Sequence, residues 1–123
     1  MSGETPPPVA AYFESINTED FDRLETLWTD DVTLRAVGQK PRQGRDAVMA
    51  YFRPLFARWA KHLDTPTRVI TSANVSVVEV SFIGTTSAGK ELTFDAVDVF
   101  DLSGDRISAL STWYDLHWLV KQV

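Results

Sequence analysis

The sequence predicts an α+β domain in which helices come first and a sheet follows. Three observations carry that expectation. Apolar residues recur at helical spacing as far as Trp59. After Pro66 the texture changes to long stretches of β-branched and aromatic residues. Two turn clusters, Ser87-Ala88-Gly89-Lys90 and Ser103-Gly104-Asp105, separate those stretches as antiparallel hairpins. Helices followed by a meander of strands point to α+β rather than to alternating α/β.

The elements follow in order. Residues 1–8 read as a flexible tail, because Pro6-Pro7-Pro8 is extended and has little to pack against. Residues 9–123 then form a single domain. Val9, Tyr12, Phe13 and Ile16 stripe a first helix. Asn17-Thr18 ends it, and Thr18 can cap a second helix with Glu19 and Asp20 in its first turn. Phe21, Leu24, Leu27 and Trp28 form the buried stripe of that helix, and Asp30-Asp31 ends it. Val32 to Val37 alternates as a short strand, and Gly38 to Gly44 is a loop containing Pro41. A longer helix is expected from about Arg45, with Val48, Tyr51, Phe52, Leu55, Phe56 and Trp59 on one side and Pro54 kinking or dividing it. Four strands follow, at Thr67–Ala73, Val75–Thr85, Glu91–Leu102 and Arg106–Tyr114.

Composition narrows the function. The chain has 123 residues, 44% of them hydrophobic, which suffices for one domain with a real core. A net charge of −5 argues against nucleic acid and against an anionic membrane as partners. There is no cysteine and there are only two histidines, so no disulfide, no metal site and no other cofactor is expected. No apolar run approaches membrane-spanning length, and a cytoplasmic location is expected.

One residue stands out against its background. Asp98 lies in Thr93-Phe94-Asp95-Ala96-Val97-Asp98-Val99-Phe100 and shares a strand face with Phe94, Ala96 and Phe100. A carboxylate there is costly to ionise, so its pKa should rise, and such groups gather at functional sites. An aspartate turned to solvent or bonded to a backbone amide is the alternative. Asp95 falls on the opposite face with Val97 and Val99 and reads as structural or interfacial.

The order of elements resembles the cone-shaped fold of the nuclear transport factor 2-like superfamily. Within it the chain is similar to the SnoaL-like and ketosteroid-isomerase-like proteins. The residues carrying the resemblance are Asn17 to Asp22, Leu27 to Val32, Gly44-Arg45-Asp46-Ala47-Val48, Phe94 to Phe100 and Ile107 to Tyr114. The resemblance implies a curved, mostly antiparallel sheet wrapped around three N-terminal helices. In ketosteroid isomerases, a tyrosine of the first helix and a strand aspartic acid donate hydrogen bonds to a developing enolate oxygen. Those positions fall on Tyr12 and Asp98, the latter acting as a protonated acid. The isomerase's base falls on Ala36, which moves no proton, and its supporting tyrosines fall on Trp28 and Phe52. A working ketosteroid isomerase is therefore not expected. The limonene-epoxide-hydrolase positions read Glu79, Ser81 and Thr112, so that Asp-Arg-Asp mechanism is not supported either.

A concavity closed by helices would be lined by Leu34, Ala36, Phe52, Phe56, Trp59, Phe82, Thr112 and Tyr114 around Tyr12 and Asp98, and would suit a small hydrophobic molecule. His62, expected at the end of the aromatic helix, could serve as a base or merely meet the helix dipole. His117 belongs to a C-terminal lid or an exposed end. Two function classes remain open. One is an isomerase, lyase or cyclase using a Tyr12–Asp98 oxyanion site on a carbonyl compound. The other is a non-catalytic binding or dimerisation module of the same fold. An outer sheet face with Val97, Val99, Ala109 and Trp113 further suggests a homodimer.

Overall fold

In the computed structural model, residues 4–122 are described. Residues 1–3 of the expected tail lie outside them. The tail is shorter than expected, because helix α1 runs over Pro7–Thr18 and already buries Pro8. Proline suits a first helical turn, where its fixed φ is favourable and its missing N–H would have had no partner. α1 continues to Thr18 and closes on Glu19, whose φ of 55° is left-handed and whose N–H bonds to Ile16 O. Asp20, not Thr18, caps helix α2 (Phe21–Thr26), its side chain accepting from Arg23 N–H at 3.1 Å.

α2 is shorter than its apolar stripe suggests. Ile107 N–H takes Leu27 O at 2.7 Å and draws Trp28 into strand β1 (Trp28–Ala36). Trp28 is fully buried, with its indole N–H on Met49 Sδ and its ring stacked on Phe52. The Asp30-Asp31 pair consequently lies within the strand, and Asp30 pairs with Arg45 at 2.9 Å. A two-residue strand β2 (Arg42–Gln43) occupies part of the expected loop.

Helix α3 (Arg45–Phe52) stops two residues before Pro54, and a run of tight turns carries the chain to Trp59. Leu55, Phe56 and Trp59 thus leave the helix. Strand β3 then spans Trp59–Ser72, beginning eight residues before the expected Thr67. Pro66 does not break it, because β3 is an edge strand with a register shift between Pro66 and Arg68. His62 is therefore a strand residue and not a helix end.

Strands β4 (Val75–Thr86), β5 (Glu91–Ser103) and β6 (Arg106–Tyr114) fall within two residues of expectation. A C-terminal helix α4 (Leu116–Gln122) completes the described chain. The sheet order is β2-β1-β6-β5-β4-β3, antiparallel throughout except for β1 against β6. The sheet does not close, since β2 and β3 are its edges. α1 to α3 cover its concave face, where Val9, Phe13, Leu24, Val48, Phe100 and Leu110 form much of the core. Among the described residues no helix is long and apolar enough to cross a membrane.

Candidate functional site

Helices α1 and α3, the turns after α3, and the inner faces of β3 to β6 line a partly open cavity of about 140 Å³. Its wall is mostly aromatic, and Leu119 of α4 closes one side. Of the ten residues expected around it, Tyr12, Phe52, Phe56, Trp59, Phe82, Asp98, Thr112 and Tyr114 line it. Leu34 and Ala36 do not. Leu34 belongs to the core cluster, and Ala36 is buried in β1 against Thr112. β1 lies one strand too far across the sheet to reach the cavity, because β6 separates it from β5.

Asp98 projects inward from β5 and is 5% exposed. Desolvation raises its pKa to about 6, an effect opposed by a hydrogen bond from Thr112, its cross-strand neighbour. Its Oδ1 is buried with no hydrogen-bond partner among the described residues. Tyr12 reaches the same cavity from α1, held by edge-to-face contacts with Phe13 and Phe100 at 5.0 and 5.1 Å. Burial, and then the charges of Asp98 and Asp64, raise the Tyr12 pKa well above its ordinary value. Its phenol therefore keeps its proton and can donate.

A third group escaped the sequence reading. Asp64, on β3, lines the cavity, and its pKa is raised to about 7 by desolvation and then by Asp98. Its backbone is clamped by Asn17 of α1: Asp64 N–H donates to Asn17 Oδ1, and Asn17 Nδ2 donates to Asp64 O, both at 2.9 Å. A signal was present, since Lys61, Leu63 and Thr65 alternate with His62, Asp64 and Pro66. The inward set holds an imidazole, a carboxyl and a proline in place of an apolar stripe, so the alternation does not look like a half-buried strand. Tyr51 also lines the cavity, and burial pushes its pKa well above the ordinary value, so it too stays neutral.

Other ionisable candidates stand apart. The His62 ring stacks on Phe56 at 3.9 Å, and its Nε2 lies 3.0 Å from Glu19 Oε2, so it is held away from the cavity wall. Glu79 is paired with Arg68 at 2.8 Å, and with Ser81 it lies on the opposite face of β4 from the cavity-lining Phe82. His117 is exposed on α4. Among the described residues no group of three or more His, Cys, Asp or Glu is placed to hold a metal ion.

Comparison with curated protein sequences finds no match. Solved structures match closely in shape. A hypothetical protein from Catenulispora acidiphila with a ketosteroid isomerase-like fold, solved with trimethylamine, superposes with a TM-score of 0.86 at 18% identity, covering 97% of this chain and 93% of its own. An LEH-like epoxide hydrolase from M. tuberculosis gives 0.81 at 19% identity, over 95% and 86%. TerC, co-crystallised with polyporic acid, gives 0.81 at 14% identity, over 95% and 99%. At these identities the likeness is one of fold. The sequence itself matches the SnoaL-like domain over residues 9–110, and with the curved sheet and its helices in place, the chain belongs to the SnoaL-like family within the nuclear transport factor 2-like fold.

Proposed function

We propose that the cavity binds a compact hydrophobic ring compound through one oxygen, a carbonyl or a phenolic hydroxyl. The observation that carries this is the buried, unpartnered Oδ1 of Asp98 in the same cavity as the Tyr12 hydroxyl. A phenol satisfies both, accepting from Tyr12 and donating to Asp98. A ketone oxygen accepts from both when Asp98 is protonated, which makes the pair an oxyanion site for isomerase, lyase or cyclase chemistry. The volume suits a single ring within the cavity: about 140 Å³ compares with the ~150 Å³ cavity that admits benzene. The absence of a base at Ala36 opposes ketosteroid isomerisation.

The test is phenol binding, followed by ligand NMR or calorimetry. Affinity should fall by about tenfold or more in Tyr12→Phe and in Asp98→Ala, and by less in Asp98→Asn, which keeps an acceptor at Oδ1. Unchanged affinity in both deletions would make the pair core structure and defeat the proposal. Turnover of a Δ5-3-ketosteroid at enzymatic rates would defeat the exclusion. A non-catalytic binding module is the second reading, favoured by Ala36 where the isomerases keep their base.

We also infer a homodimer through the outer sheet face. Trp113 is 41% exposed there, beside the half-buried Val97, Val99 and Ala109. A monomeric mass by light scattering at micromolar concentration would refute it.

A further inference from the structure

The cavity holds a second carboxyl group that oxygen binding does not use. Asp64 enters from edge strand β3, level with Phe82 and Phe94 across the sheet, whereas Asp98 lies four residues beyond Phe94 on β5. Both carboxyls nevertheless line the one cavity with Tyr12, and Asp64 feels the charge of Asp98, so a ring bound to Tyr12 and Asp98 by its oxygen shares that space with the Asp64 carboxyl. Nothing among the described residues bonds to the Asp64 carboxyl, while the two hydrogen bonds from Asn17 fix its backbone. A carboxyl carried on a fixed backbone into a mostly aromatic wall, with no bond of its own, is free to take a proton.

We propose that Asp64 is the proton-accepting catalytic residue of this cavity, taking a hydrogen from the carbon beside a ring ketone's carbonyl while Asp98 and Tyr12 receive the oxygen. This rests on the reading that Tyr12 and Asp98 meet that oxygen. The step balances. Asp64 carboxylate takes the α-hydrogen as a proton, and the C–H electron pair becomes the C=C bond. The carbonyl π pair moves to oxygen, which receives the Asp98 proton. The product is a neutral enol. The carboxyl pair begins and ends with one proton and one negative charge, so the apolar cavity never changes its net charge. Asp64 holds the proton afterwards, as the charge of Asp98 favours. Return of a proton to carbon regenerates the ketone.

The other groups facing the pair leave this intact. Tyr12, Tyr51 and Tyr114 are all raised and remain neutral. Arg42 lies over the Tyr51 ring at 5.5 Å, and His62 is engaged with Glu19. Activity then requires one proton on the pair, carried by Asp98; because Asp64 is raised further than Asp98, this is the minor of the two one-proton forms, and it is the form that reacts. The rate should be bell-shaped in pH with its maximum around 6–7, falling in acid, where Asp64 lacks its charge, and in base, where Asp98 lacks its proton.

The experiment is α-hydrogen exchange of cyclohexanone in D2O by the intact protein, read by proton NMR, beside the phenol titration. Asp64→Asn should slow exchange by about 100-fold or more while phenol affinity stays within about threefold. Asp64→Glu should restore part of the rate. Wild-type exchange no faster than buffer, although phenol binds with the expected dependence on Tyr12 and Asp98, overturns the role of Asp64 and leaves the binding site standing. Asp64→Asn at the wild-type rate overturns it as well. Phenol that binds Tyr12→Phe and Asp98→Ala as well as wild type overturns both proposals. The wild-type pH profile needs no variant, and a rate that only climbs from pH 5 to 9 also overturns the pair.

Discussion

β5 and β3 each bring one carboxyl to the same cavity, from opposite sequence backgrounds. On β5 the inward residues around Asp98 are Phe94, Ala96 and Phe100, so one charge interrupts an apolar face. On β3 the inward residues around Asp64 are His62 and Pro66, while Leu63 and Ile70 face outward at 44% and 39% exposure. The usual alternation is lost on β3, because the inward Asp64 belongs to the site wall and the exposed side mixes Lys61 and Thr65 with Leu63. A lone polar residue on a hydrophobic face announces itself. A strand whose inner face lacks an apolar stripe and whose outer face is mixed shows no strand period.

The comparison can be broken most strongly through pH and stability. Both carboxyls have folded pKa values raised above the unfolded value of about 3.8, to about 7 for Asp64 and about 6 for Asp98. The folded state then binds protons more tightly than the unfolded one. Any stability from these protonated groups is complete below about pH 4 and is lost as pH rises, through about 6 for Asp98 and about 7 for Asp64. Asp64→Asn and Asp98→Asn should therefore stabilise the protein at pH 8, each by something on the order of 2 kcal/mol. The advantage should shrink toward zero near pH 4. Thermal unfolding of the variants and wild type at both pH values checks this, and a pH-independent difference would mean the carboxyls are not desolvated as described.

Much of the fold was legible because its elements obey local rules. The last three strands carry their alternation and turn residues openly, and Pro54 marks the end of α3. The missed boundaries are places where tertiary structure decides. Trp28 suits the stripe of α2, yet Ile107 draws it into β1, and nothing local signals that parallel pairing. Prolines 7 and 8 look like tail until the core beneath them is known. Eight of the ten expected wall residues line the cavity because the strand register puts them on one face. Leu34 and Ala36 failed because their distance from the cavity depends on strand order, which alternation within a strand does not encode. Asp64 failed because Pro66 beside it argues against a strand unless the strand is known to be an edge.

The two strands also share a device. Where each lacks a strand neighbour, a side-chain amide pairs with both backbone groups of one residue: Asn17 with Asp64 on β3, and Gln122 with Thr93 on β5. The Asn17 pair is part-buried and fixes the proposed base. Asn17→Ala leaves an N–H and a C=O of Asp64 without their partner and should cost about 1–3 kcal/mol. It should also slow exchange of cyclohexanone more than it weakens phenol binding. Full cyclohexanone exchange with lowered stability would show that the clamp is structural only.

The Gln122 clamp should matter least. β6 ends its pairing at Tyr114 opposite Ala96, so the earlier part of β5 has a free edge that α4 covers. Gln122 Nε2 donates to Thr93 O at 2.9 Å and Thr93 N–H donates to Gln122 Oε1 at 3.3 Å, while Trp118 Nε1 also donates to Thr93 O at 3.2 Å. These bonds are exposed, and α4 buries no residue fully, so water replaces them at little cost. Gln122→Ala should cost roughly 0.5 kcal/mol or less globally, yet it releases the helix that sets Leu119 against the cavity. Amide hydrogen exchange at Thr93 should accelerate several-fold, and phenol should both enter and leave faster with its affinity little changed. If Thr93 exchanges at the wild-type rate in Gln122→Ala, α4 is held by Trp118 and Leu119 rather than by the amide clamp, and the parallel between the two strands ends at Asn17.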